Sequence, residues 1–183
     1  MKMKMEKEEK MTTADPKATK ETVELWNYLH AVAGKQIITG QHTQTIPCEE
    51  IAYIRQTTGK EPKLRGFELL GYSPNINYAD ASPECLTEIE ENKGTAEMAL
   101  QWAIEQRKNG NGGILPFTFH WFSPLGGRDK SFYTEHTDFD AREVLKEGTP
   151  ERAAFYHDMD VIAEILRHFQ EERIPILWRP FHE

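Results

Sequence analysis

Positive charge, cysteine and long apolar runs are all scarce in this chain of 183 residues. Its 22 Lys and Arg are outnumbered by 30 Asp and Glu, leaving a net charge of −8. That balance argues against a nucleic-acid partner, whose phosphates need clustered cations. It suits an uncharged ligand without demanding one. No apolar stretch approaches the ~20 residues of a membrane-spanning helix, so no membrane partner is expected. The two cysteines, Cys48 and Cys85, have neither metal-ligand nor redox spacing and are expected to be free structural residues. No compartment follows from them. The opening MKMKMEKEEKMTTADPK is charged but has no apolar segment, so it does not read as a secretory signal. Residues 1–17 are expected to form a disordered polar tail, and residues 18–183 the folded part.

What the chain does have is an alternation of short apolar runs with helical patterns, the signature of parallel β/α architecture. Apolar residues at helical spacing predict helices over residues 22–33, 47–58 and 95–108. Thr149-Pro150, a hydroxyl cap followed by proline, opens a further helix whose apolar stripe is Phe155, Met159, Ile162, Leu166 and Phe169. Trp26, Phe155 and Phe169 are expected in the core. Strands are predicted over residues 36–40, 64–70, 114–119 and 175–179. A polar loop follows the second strand. Residues 120–148 form a long loop whose five aromatics, Trp121, Phe122, Phe132, Tyr133 and Phe139, argue for order and function. Four strand-helix steps with no helix after the fourth strand read as the first half of a (β/α)8 barrel, truncated after strand four, since a complete barrel takes ~250 residues.

Barrels of this kind keep their chemistry at the carboxyl ends of the strands. Collecting those ends gives Gln41 and His42, then Glu68 and Tyr72, then His120 and Trp121, and finally Arg179, His182 and Glu183. Carboxylates, imidazoles and a guanidinium among aromatic faces suit the stacking and hydrogen bonding of a sugar ring. A hydrolase with paired carboxylates is the natural reading. His42, His136, Asp138 and Asp140 do not have the spacing of a metal site, and the two aspartates are expected to order their own loop.

Three stretches carry a more specific likeness: Trp178-Arg179-Pro180-Phe181-His182-Glu183, Phe117-Thr118-Phe119-His120-Trp121-Phe122-Ser123-Pro124, and Ser131-Phe132-Tyr133 leading to Thr137-Asp138-Phe139-Asp140. Ile38-Thr39-Gly40-Gln41 and Arg65-Gly66-Phe67-Glu68 add to it more loosely. Over roughly residues 20–183 the chain resembles glycoside hydrolase family 26, whose members are mostly endo-β-1,4-mannanases on a (β/α)8 barrel. The resemblance implies hydrolysis with retention of configuration and no cofactor or metal. Glu183 would be the general acid/base at the end of strand four. His182 would support the hydrogen bonding around it, and His120 and Trp121 would line the sugar cleft. Arg179 and Glu68 join them as substrate-side candidates, and Trp178 as a possible shaper of the cleft.

The family's nucleophile is a second glutamate after strand seven, which these residues do not include. The polypeptide alone is therefore expected to be inactive, its partner being a mannan-type polysaccharide. Alternatives are a β-1,3-1,4-glucanase or xylanase of the same fold, or a non-catalytic carbohydrate-binding half-barrel that self-associates through its open edge.

Overall fold

A computed structural model describes residues 13, 15–43, 48–125 and 128–181. The expected tail over residues 1–17 falls mostly outside these residues, as do His182 and Glu183. The chain divides into two compact units, residues 1–37 and 38–183. The first contains helix α1 (Lys20–Val32), started by Thr19, whose side chain accepts from the Thr22 N–H. No α1 residue is buried, so Trp26 is not the core residue its helical spacing suggested. Its ring instead meets His30 edge-on at 4.4 Å, one turn along the same helix.

The second unit is built on four parallel strands in sequential order: β1 (Gly40–His42), β2 (Leu64–Glu68), β3 (Leu115–Phe119) and β4 (Ile176–Pro180). Helices α2 (Glu49–Thr58), α4 (Thr95–Lys108) and α5 (Pro150–Glu171) make the crossovers, with α3 (Pro83–Glu91) preceding α4. Adjacent strands that are consecutive in sequence and joined by helices are the repeating unit of a β/α barrel.

Two expectations shift. β1 pairs only from Gly40, opposite Leu64, and Ile37 of the predicted strand is 94% exposed. The supposed loop after β2 contains α3, which Ser82 caps through a hydrogen bond to the Cys85 N–H, with Pro83 in the first turn. This is the same hydroxyl-proline start as Thr149-Pro150 in α5.

Strand side chains alternate between two faces, and register decides which face each shares with its neighbours. Phe67 aligns with Phe117, and Phe117 with Trp178. The Phe67 and Phe117 side is covered by Ile51 of α2, Ala99 and Trp102 of α4, and Ile162 and Phe169 of α5. Phe117 meets Phe169 edge-on at 5.2 Å. The opposite side carries His42 aligned with Gly66, then Glu68, Thr118 and Arg179 aligned in turn. Trp178, considered as a cleft residue, therefore lies on the helix-covered side, where it stacks on Phe119 at 6.1 Å.

Beyond the strand ends a second apolar cluster of Leu70, Cys85, Ile89 and Phe122 ties α3 to the loops after β2 and β3. Both cysteines are free and buried, as expected of structural residues.

Candidate active site

The polar side of the sheet opens into a cavity of about 640 Å³. His42, Glu68, Thr118, His120 and Arg179 supply its floor, while Glu88, Asn92, Phe132 and Tyr133 reach it from α3 and the loop after β3. Strand register alone brings Glu68, Thr118 and Arg179 side by side. Gly66 makes room for His42: a Cβ there would sit 2.6 Å from the His42 Nδ1.

Glu68 and His120 form the best-defined part of this floor. The side chain of Glu68 is nearly buried, and each of its oxygens is engaged. Oε1 accepts from the His120 backbone N–H at 2.9 Å. Oε2 lies 3.0 Å from the His120 Nδ1 and also accepts from the Thr118 hydroxyl. Burial raises the pKa of Glu68, but these hydrogen bonds from His120 and Thr118 outweigh it and hold the carboxyl below its ordinary value. An ionised Glu68 can only accept, so the His120 Nδ1 donates to it and the ring is held in one orientation. What Glu68 contributes to the cavity is thus an oriented imidazole rather than a free carboxylate.

Arg179 is exposed on the same face and has no ion-pair partner among the described residues, so its guanidinium remains a donor for whatever enters. Trp121 turns away from this cavity. It walls a second one of about 250 Å³ that shares His120 with the first and is lined also by Phe132, Phe139 and Phe181. The Trp121 indole N–H donates to Asp158 Oδ2 at 2.7 Å.

Two rim candidates are not brought in. Gln41 lies on the Arg65 side of the sheet, and its amide bonds the His42 carbonyl. The Tyr72 hydroxyl donates to Glu97 and accepts from the Ala96 N–H at 3.0 Å, at the start of α4. Burial and the neighbouring Glu97 push its pKa up to about 12. Conversely, Glu88 and Asn92 were missed because α3 was missed. Glu183 and His182 lie outside the described residues.

Parallel strands with helices on one side and a polar cleft at their carboxyl ends define a β/α-barrel type of enzyme scaffold. Comparison with known proteins narrows this. The model of glycosyl hydrolase family 26 matches residues 14–183, and the chain belongs to that family. It is 32% identical over 177 residues to a mannan endo-1,4-beta-mannosidase of Thermothelomyces thermophilus, covering 92% of this chain and 33% of that protein.

Among solved structures, a ruminal GH26 endo-beta-1,4-mannanase superposes with a TM-score of 0.74 at 30% identity, over 94% of this chain and 35% of the other. The Podospora anserina GH26-CBM35 beta-(1,4)-mannanase gives 0.71 at 31% identity, over 92% and 35%. The chain thus spans about a third of the length of these relatives.

Proposed function

We propose that these residues form the proton-donor half of an endo-β-1,4-mannanase that works with retention. The observation that supports this most is the polar floor of Glu68, Thr118, His120 and Arg179, in a chain whose relatives are named mannanases. Glu183 follows β4 in sequence and is the general acid/base in this reading, with His182 beside it. In the first step its carboxyl protonates the departing glycosidic oxygen while a second carboxylate attacks the anomeric carbon. In the second step the Glu183 carboxylate takes a proton from water, which displaces that carboxylate from the sugar.

Retention requires the two carboxyl groups ~5–5.5 Å apart. No residue of this chain is assigned the nucleophile's part. His120 and Arg179 contact the sugar, and Glu68 orients the His120 ring through its Nδ1. Trp121 supplies an aromatic wall on the other side of His120.

The test is release of reducing ends from mannan, lichenan and xylan by a polypeptide carrying these residues together with the rest of a family 26 domain. Mannan should be the preferred polymer, with the β-anomer formed first. Preference for lichenan or xylan would replace the substrate reading, and no turnover of any polymer would sink the enzymatic one. The 183-residue polypeptide assayed alone should release nothing above a buffer blank.

A further inference from the structure

In the middle of α5 sits a carboxylate that the reading above does not use. Asp158 is 1% exposed, yet it lies on the apolar stripe of its helix, between Phe155 and Ile162. It has no cationic partner among the described residues. Its Oδ2 is met by two neutral donors, the Trp121 indole N–H at 2.7 Å and the Asn75 side-chain amide. Asn75 also donates to the Phe122 carbonyl at 3.0 Å, and the Ser73 hydroxyl receives the Phe122 N–H at 3.1 Å. One buried carboxyl group thereby gathers the loops after β2 and β3 onto α5. Burying a carboxylate with only neutral partners is costly, and an apolar residue would pack this position more cheaply.

The consequence reaches β4 through aromatic contacts. The Trp121 ring, fixed by Asp158, is met edge-on by Phe155 at 5.5 Å and Phe139 at 5.2 Å. Phe181 closes the set, 5.6 Å from Trp121 and 6.0 Å from Phe155. Phe181 is also left-handed, with φ 48°, a conformation that a residue with a bulky side chain rarely adopts. Such a backbone persists only when its surroundings hold it. The rings that Phe181 meets are those of Trp121 and Phe155.

We infer that Asp158 is a positioning residue: through Trp121 it fixes the left-handed backbone of Phe181, two residues before Glu183 in sequence. This rests on the acid/base role proposed for Glu183.

Two readouts test it separately. The first is the crystal structure of the chain carrying Asp158→Leu, which cannot accept, and Asp158→Asn, which keeps an acceptor in the same place. The leucine variant should lose the indole contact and the left-handed Phe181, and the asparagine variant should keep both. A leucine variant with Phe181 unmoved overturns the inference. Should Asp158→Leu fail to fold, Trp121→Phe removes the same N–H while keeping a ring, and is judged by the same geometry.

The second readout is activity within the complete catalytic domain, on mannan and on an aryl mannoside with an acidic leaving group. A misplaced proton donor harms only the substrate that needs protonation. The leucine variant should therefore lose roughly tenfold or more kcat/KM on mannan relative to the aryl substrate, with the asparagine variant restoring most of it. Equal losses on both substrates overturn the inference. An unsubstituted domain that leaves mannan intact counts against the proposed function, while the Phe181 geometry still decides the role of Asp158.

Discussion

Removing the Glu68 carboxylate should cost both stability and the orientation of His120, and the two costs can be separated by comparing alanine with glutamine. Three donors converge on it: the His120 N–H, the His120 ring Nδ1 and the Thr118 hydroxyl. A buried donor left without its partner costs about 1–3 kcal/mol. The adjoining cavity lets water replace part of what alanine removes, so the low end applies and the three losses together come to roughly 3 kcal/mol. For a chain of this size each kcal/mol lowers the melting temperature by about 2–4 °C, so Glu68→Ala should melt ~6–12 °C early at neutral pH. Glutamine keeps the volume and one acceptor oxygen and relieves the burial of a charge, so its cost is about 1 kcal/mol.

Acidification distinguishes the two. The folded pKa of Glu68 lies below its unfolded value, so the stability it contributes is present above the ordinary carboxylate range and is lost as pH falls through that lowered value. The melting temperatures of the wild type and Glu68→Gln should therefore converge on acidification. Calorimetry across acidic and neutral pH measures this. A Glu68→Ala variant that melts with the wild type at neutral pH, or a gap to Glu68→Gln that widens in acid, refutes the account of this dyad.

Tyr72→Phe removes the acceptor of the Ala96 N–H in the first turn of α4 and should lower stability by about 1 kcal/mol in urea titration. The raised pKa of Tyr72 adds a second expectation. The wild type's advantage is full below the ordinary tyrosine value and fades as pH rises toward about 12. Gly66→Ala puts a methyl group 2.6 Å from the His42 ring, so His42 must leave its place on the cavity floor. Within the complete catalytic domain a rise in KM on mannan with little change in melting temperature is expected, and unchanged kinetics would show that His42 is not a substrate-side group. Phe181→Asn retains a residue tolerant of left-handed backbone but removes the ring from Trp121. Within the complete domain it should lower kcat on mannan while costing less stability than Phe181→Ala, which loses the ring and keeps the strain of about 1–2 kcal/mol.

Where the sequence was legible, a single local signal sufficed. The apolar stripe of residues 95–108 reproduced the observed bounds of α4, and Thr149-Pro150 marked the start of α5 to the residue. Ser82-Pro83 is the same signal but went unread, because the polar residues around it hid the two apolar positions, Cys85 and Ile89, that α3 buries. The first strand was misplaced because Ile37 and Ile38 look like strand residues, whereas pairing with β2 fixes the start at Gly40. Cavity-lining residues were legible as far as strand ends announce them, which covers Glu68, His120 and Arg179. Their mutual bonds were not, since the contact between Glu68 and His120 joins residues 52 apart in sequence. Asp158 did leave a trace: a carboxylate three residues after Phe155 and four before Ile162 interrupts an apolar stripe, and helical spacing alone places it inward.

The two sides of this sheet obey different constraints, and that difference explains why the chemistry collects where it does. Phe67, Leu115, Phe117 and Phe119 can all be aromatic or aliphatic because three helices cover them. The opposite positions in the same strands carry Gly66, Glu68, Thr118 and Arg179, which lie outside that apolar cluster, the last three lining the cavity. Period-two alternation leaves each strand only a few inward positions, so polar groups there must satisfy one another laterally, across register. Glu68 does so with Thr118 and His120, and the result is a rigid acceptor-imidazole pair flanked by a cation. Such a floor is organised before any ligand arrives, so binding need not order those side chains again. The aromatic wall beyond His120 is organised by the same logic from beneath, with Asp158 in place of Glu68 and the Trp121 indole in place of the imidazole. In each case a buried carboxyl group orients a ring through a hydrogen bond to its N–H.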